Sequence, residues 1–467
     1  MSEVTTYAEF LEAKSQGHGD AGFEPVWMPE FLFPFQRSLV EWALRKGRGA
    51  IFADCGLGKT PMQLVWAENV YRHTGRPVLI VTPLAVSFQT EAEATKFGID
   101  ARVSRGGKPA AEVTVTNYER LHLFDTADFG AVVCDESSAI KSFDGVRRQV
   151  VTDFMRKTPY RLLCTATAAP NDYTELGTSS EALGYLGHMD MLGRFFTNRD
   201  KNSNTKGRRY RWSKDGSFGQ AEWRFKGHAE DAFWKWVASW ARAIRKPSDH
   251  GFDDAGFVLP DLNYRQHVIT ARTPRGDTLF DLPALGLREE REESRRTIDE
   301  RCEQAAELIR DADSAVAWCQ LNAEGNLLTR LIDGAVQVSG SEDADAKEAK
   351  LVAFSRGEIR VLVTKPIIGA WGLNWQHCNR MTFFPSHSYE QFYQAVRRSW
   401  RFGQTRPVTV DLVTTEGGVN ALKNLRRKAD QADRMFDTLI AHMLEAVAID
   451  RSLTFNQRVE VPSWAKY

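Results

Sequence analysis

The chain has 467 residues, with 61 Lys and Arg against 61 Asp and Glu, 42% hydrophobic and 26% charged residues. That length exceeds one ordinary domain, so two or three are expected, and a formal charge of zero excludes a protein that is basic throughout: any nucleic-acid surface must be a local patch. No stretch approaches the roughly 18 uncharged apolar residues of a membrane span, and the start Met1-Ser2-Glu3-Val4 has neither a basic nor an apolar leader region. No membrane partner is therefore expected, and the compartment is read as cytoplasmic. The six cysteines are scattered without a Cys-x-x-Cys pair, which reads as buried reduced thiols rather than a zinc or redox motif.

In chain order, short apolar runs ending in polar or turn residues begin at Ala50-Ile51-Phe52-Ala53 and recur at Val78 to Thr82, Val113 to Thr116, Ala131 to Asp135 and Arg161 to Thr165. Helix-like segments separate them, the pattern of a parallel sheet covered on both faces. From about Gly193 to Pro260 the composition shifts to Gly, Arg, Lys and Trp, an insertion or linker followed by a helix over 229–244. Arg288 to Arg310 is dense in alternating charge and reads as a solvated helix with i,i+4 pairs. Apolar runs then restart at Ala315, Ala335, Arg360, Met381 and Val408, which is a second α/β unit.

Directly after the first strand comes Ala53-Asp54-Cys55-Gly56-Leu57-Gly58-Lys59-Thr60, a phosphate-binding loop whose first glycine is Ala53. The glycines let backbone N–H groups turn toward phosphates, Lys59 can neutralise their oxygens, and the Thr60 hydroxyl can ligate Mg2+. Asp135, at the end of a later apolar run, can hold the same metal, and Glu136 can orient or deprotonate an attacking water. A chance Gly-rich turn and a solvated Asp-Glu pair are the bland readings of each motif alone. Their order, strand then loop then helix with an acidic strand end downstream, favours catalysis.

Taken together, this loop, the box Asp135-Glu136-Ser137-Ser138 and Thr165-Ala166-Thr167 resemble motifs I, II and III of superfamily 2 helicases and translocases. Thr82-Pro83-Leu84 is similar to motif Ia, Thr116-Asn117-Tyr118-Glu119 to motif Ib, and Phe35-Gln36 to the adenine-reading Q motif. Thr364 to Trp375, with Gly372, resembles motif V, and Gln394 to Gln404 resembles motif VI in the Swi/Snf-type form. The box departs from its relatives in ending Ser137-Ser138 rather than Ala followed by His or Asp.

The resemblance implies an α/β fold of two RecA-like doubly wound parallel-sheet domains with ATP in the cleft between them, plus a basic insertion. The boundaries expected are an N-terminal segment over 1–30, domain one over 31–192, insertion and linker helix over 193–262, domain two over 263–445 and a tail over 446–467. It assigns nucleotide contacts to Gln36, Gly56, Leu57, Gly58, Lys59, Thr60 and Gly372, catalysis to Lys59, Asp135, Glu136, Gln394, Arg398 and Arg401, and metal to Thr60 and Asp135. Arg398 and Arg401 lie three apart on one helical face, as an arginine finger reaching across the cleft requires. Nucleic-acid contacts are expected at Thr82, Pro83, Thr116, Asn117 and Thr364.

The basic patch falls in the insertion, where Arg208, Arg209, Arg211 and Trp212 belong to a run from Arg194 to Lys226 that mixes cations with aromatic residues. Such a mixture suits a groove for phosphates and bases, and equally a hairpin whose aromatics are its own small core. The function implied is an ATP- and Mg2+-dependent motor on single- or double-stranded DNA, a helicase or duplex translocase, expected as a compact phage-encoded monomer in the host cytoplasm. An RNA helicase and an ATP-switched clamp with weak hydrolysis are the rival readings.

Overall fold

Apolar, β-branched runs become strands here, and in most of them nearly every side chain is buried, as in a parallel sheet covered on both faces. The computed structural model describes residues 21–83, 86–141, 145–169, 172–198, 223–272, 287–369 and 374–452. In the first half the strands are β1 (Arg48–Ala53), β2 (Val78–Thr82), β3 (Ala101–Val103), β4 (Val113–Asn117), β5 (Ala131–Asp135) and β6 (Tyr160–Thr165), then the antiparallel pair β7 (Phe196–Asn198) and β8 (Trp223–Phe225), then β9 (Ala241–Ile244). The second half carries β10 (Leu262–Ile269), β11 (Ala315–Trp318), β12 (Ala335–Val338), β13 (Val361–Thr364), β14 (Arg380–Phe383) and β15 (Val408–Thr415).

Two parallel sheets result, with strand orders β3-β4-β2-β5-β6-β1-β9 and β10-β15-β14-β11-β13-β12. The two-domain parallel-sheet architecture implied by the motifs is thus present. In the first sheet β1 lies beside β6 and β5 beside β2 and β6, which aligns the carboxyl ends that carry the phosphate loop and the acidic box. Ligand sites in open α/β sheets form at such ends.

One helix does not run over 229–244. The helix stops at Ala238, and β9 pairs in parallel with β1 as the edge of the first sheet. Arg242 is tolerated inside this strand because its guanidinium donates to the Ala238 carbonyl at 2.6 Å and lies 4.5 Å from the Trp42 ring centroid. Residues read as insertion and linker therefore complete the first domain's sheet.

The charged stretch after residue 287 is two helices, Leu287–Arg296 and Ile298–Leu308, and it is only partly solvated. Glu293 is buried and accepts from the Thr415 hydroxyl at 2.6 Å, and buried Arg301 pairs with Glu324 at 2.7 Å. The i,i+4 spacing said nothing of these partners because they lie on other elements.

The last helix, Val419–Ser452, runs through the expected boundary at residue 445. Its early residues Leu422 and Leu425 belong to the second domain's core, whereas Met435, Phe436, Leu439 and Met443 are buried in the core of the first. Each of those four contributes about 1.5–3 kcal/mol by burial. Arg245 adds ion pairs to Asp433 and Asp437 at 3.2 and 2.9 Å. Among the described residues no helix is long and apolar enough to cross a membrane.

Candidate active site

β1 delivers the phosphate loop, and two glycines there have no substitute. Gly56 has φ +90° and a Cβ would meet the Phe402 backbone N at 2.7 Å; Gly58 has φ +74° and a Cβ would meet Gln36 Nε2 at 2.3 Å. The loop is therefore shaped both for left-handed backbone and for close approach by Gln36 and by the second domain. Gln36 donates to the Leu57 carbonyl at 2.8 Å and accepts from Phe33 N at 3.0 Å. Lys59 donates to the carbonyls of Ala53 and Asp54 at 2.9 and 3.4 Å, so its ammonium sits in the mouth of its own loop. Thr60 follows on the first turn of the helix Lys59–Thr74.

The acidic box stands opposite. Asp135 Oδ1 accepts from Gln63 Nε2 at 2.7 Å, and the Asp135 carbonyl accepts from the Tyr118 hydroxyl at 2.7 Å. Burial pushes the Asp135 carboxyl up to about 6, against the Gln63 hydrogen bond that lowers it. A divalent cation beside it would favour the ionised form. Gln63 and Tyr118 are site residues that the motifs did not single out; Gln63 on a helix reads as an ordinary helix former, and Tyr118 was visible only as part of motif Ib.

Glu136 has φ +52°, and among the described residues no other non-glycine has positive φ. Such a conformation costs on the order of 1–3 kcal/mol and is kept where the surroundings over-determine it. They do so here. Glu136 Oε1 accepts from the Ser138 hydroxyl at 2.9 Å, from the Thr165 hydroxyl and from Thr167 Oγ1 at 3.4 Å, while Oε2 accepts from Gln394 Nε2 at 3.2 Å. Ser138, the departure from relatives in the box, thus bonds the carboxylate beside it.

Gln394, Arg398 and Arg401 come from the second domain, on the helix Tyr389–Val396 and the turns after it. Arg398 donates to Gln394 Oε1 at 3.2 Å, which completes a chain Arg398–Gln394–Glu136–Thr165 across the cleft. Burial, and then Arg401 alongside, hold the Arg398 guanidinium down to about 10; Arg401 is lowered too, chiefly by burial. Two buried guanidiniums beside a phosphate loop are costly to desolvate and favour an anion between them.

The residues expected at nucleic acid lie at the carboxyl ends of buried strands. Thr82, Thr116 and Thr364 are buried, and their hydroxyls are spent on the chain itself: Thr82 on Ser87 Oγ at 2.9 Å, Thr116 on the Ser104 carbonyl at 3.2 Å, Thr364 on the Val338 carbonyl at 3.0 Å. Asn117 is buried as well, and its Oδ1 accepts from Arg120 N at 3.1 Å. Their polar atoms are satisfied within the chain, as those of buried side chains generally are. Pro83 is half-buried. Exposed groups nearby are Phe88, with the Arg105 guanidinium 5.3 Å from its ring centroid, and the motif patterns did not mark them.

Arg208, Arg209, Arg211 and Trp212 lie outside the described residues, as does Gly372. At the stem of that segment Phe196 stacks on Phe225 at 4.6 Å and both pack on Phe233, so the stem's aromatics are core.

No family model matches the chain. The protein p41 of Acyrthosiphon pisum secondary endosymbiont phage 1 is 29% identical over 169 residues, 31% of this chain and 37% of that protein. The DNA annealing helicase and endonuclease ZRANB3 of Mus musculus is 28% identical over 188 residues, 36% of this chain and 17% of that protein. The chain thus spans well under half the length of the curated relatives it matches. Among solved structures, S. cerevisiae Dbp5 bound to RNA and ADP BeF3 superposes with a TM-score of 0.52 at 12% identity, over 88% of this chain and 98% of that one. The chain thus shares the two-domain, parallel-sheet fold of Dbp5, and about a third of it is similar in sequence to the DNA annealing helicase and endonuclease ZRANB3.

Proposed function

We propose that the chain is an ATP-dependent nucleic-acid motor, a nucleic-acid-stimulated ATPase that moves on DNA. The observation that carries the reading is Glu136, held in a strained backbone and bonded at once by Thr165 of its own domain and Gln394 of the other. A carboxylate so placed changes its surroundings whenever the domains separate, which is the coupling a motor needs. Kinship in part of the sequence with a DNA annealing helicase favours DNA over RNA.

In this reading Gln36 braces the loop at Leu57, the backbone of Gly56 to Gly58 and Lys59 take the phosphates, and Glu136 orients a water. Arg398 and Arg401 neutralise charge that builds on the transferred group, and such preorganised electrostatic stabilisation usually does more for the rate than any other effect of a site. Thr60 and Asp135 would hold Mg2+, which when bound supplies charge neutralisation of the phosphate oxygens.

The test is the ATPase rate with single-stranded DNA, duplex DNA, branched DNA and RNA in turn. Stimulation by DNA above RNA is expected, and a rate indifferent to every nucleic acid would remove the motor. Lys59→Ala should weaken ATP binding and turnover together, because the same charge serves both; equilibrium titration with ATP checks the first.

The basic segment is proposed as a nucleic-acid contact. Changing Arg208, Arg209 and Arg211 together to Glu should weaken binding and lower its salt slope by roughly 0.7 to 0.9 per lost contact, with the unstimulated ATPase rate kept. Binding titrations at several salt concentrations read this directly, and an unchanged slope would assign the segment to its own hairpin.

A further inference from the structure

The phosphate loop carries a second connection to the other domain, through a residue outside the set assigned to nucleotide. Asp54 Oδ1 accepts from Cys55 N at 2.6 Å and from the Tyr393 hydroxyl, and its Oδ2 accepts from Arg397 Nη2. The Arg397 guanidinium is flanked by the rings of Tyr393 and Trp400, at 5.1 and 4.2 Å from their centroids. Both partners of the pair are about nine-tenths buried, with side-chain exposures of 11% and 10%. Little salt reaches such a pair, and the flanking rings fix the guanidinium plane.

The location of these bonds gives them meaning. Polar contacts reach the first domain from the helix Tyr389–Val396 and the turn after it: Glu390 pairs with Lys141, Tyr393 and Arg397 with Asp54, and Gln394 with Glu136. Only the last of these belongs to the catalytic chain. Arg398 follows Arg397 directly, and Arg401 and Phe402 lie against Gly56, so whatever seats Arg397 on the loop also sets the distance from both candidate fingers to the phosphates. On the far flank the last helix already joins the domains, so contact at the loop decides whether the cleft is shut.

We infer that Asp54, Tyr393 and Arg397 form a latch that seats the helix Tyr389–Val396 on the phosphate loop, with Tyr393 and Arg397 acting as positioning residues for Arg398 and Arg401. The latch itself stands on these contacts; only its effect on turnover rests on the motor reading. It prearranges the cleft, so less of the ATP binding energy goes into ordering the two domains.

The test is a double-mutant cycle on the full chain with Asp54→Asn, Arg397→Gln and the pair combined, alongside Tyr393→Phe, which removes one hydroxyl and leaves the packing. Energy transfer is measured without nucleotide between dyes at Lys157 and Glu348, exposed positions on the two domains. Each single change should lower transfer, and the double change should lower it no further than Asp54→Asn alone, because Asp54 carries both bonds. Turnover should fall about tenfold in each, or ~1.4 kcal/mol, and Arg397→Lys should recover part of both readouts. Transfer equal to wild type in Arg397→Gln, or effects of Asp54→Asn and Arg397→Gln that simply add, would overturn the latch. A wild-type chain without ATPase activity on any nucleic acid would sink the motor reading instead, and the transfer cycle would still decide the latch.

Discussion

Glu136→Gln is expected to bind ATP and hydrolyse it about 10² to 10⁴ times more slowly, the range that a positioned proton acceptor contributes. The amide keeps the shape and can still meet Gln394 and Thr165, but it cannot take a proton from water. ATP affinity should therefore survive, and the variant should trap nucleotide, in contrast to Lys59→Ala. Single-turnover hydrolysis together with equilibrium binding separates the two effects. Wild-type turnover would remove Glu136 from its role and leave its strained backbone without an explanation.

Arg398→Ala and Arg401→Ala should each lower turnover by about 10³ to 10⁵, the span typical of arginine fingers, with ATP binding nearly intact. Lysine should rescue poorly, since a point charge cannot reproduce the planar fork. Arg398 has a second way to fail, because it donates to Gln394 and through it touches Glu136. Its loss should therefore also loosen the response of Glu136 to domain closure, visible as weaker stimulation by DNA. Circular dichroism distinguishes this from unfolding; lost helix content in both variants would assign the arginines to the interface alone.

The strands β1, β2, β4, β5 and β6 were legible because burial on both faces leaves a run dominated by apolar and β-branched residues, with polar ones mostly at its ends. β9 was hidden by Arg242, whose charge is satisfied by a carbonyl and a Trp ring that only the fold brings near. β10 was hidden for the opposite reason: as an edge strand it is largely exposed, and its Asn, Arg, Gln and His read as loop. In the candidate site the residues set by local spacing could be picked out, from Gly56 to Thr60 and from Asp135 to Glu136. Those defined by long-range contact could not, namely Gln63 on Asp135 and Tyr393 and Arg397 on Asp54. The motif threonines Thr82, Thr116 and Thr364 could be placed at strand ends by spacing, whereas their burial and their partners are set by long-range packing.

The last helix bears on how the chain is made. Met435, Phe436, Leu439 and Met443 close the core that β1 to β6 began nearly four hundred residues earlier, and Ala243 N on β9 donates to Met443 Sδ at 3.0 Å. During synthesis the first domain emerges with that apolar face uncovered and stays incomplete until the ribosome has passed residue 443. A fragment ending near residue 262 should therefore expose the groove and aggregate, and adding the helix as a separate peptide should restore solubility. Folding in order of synthesis, the usual course for consecutive domains, would leave this face uncovered until the helix is made. A chain truncated before the helix is therefore expected to be destabilised at its beginning rather than at its end.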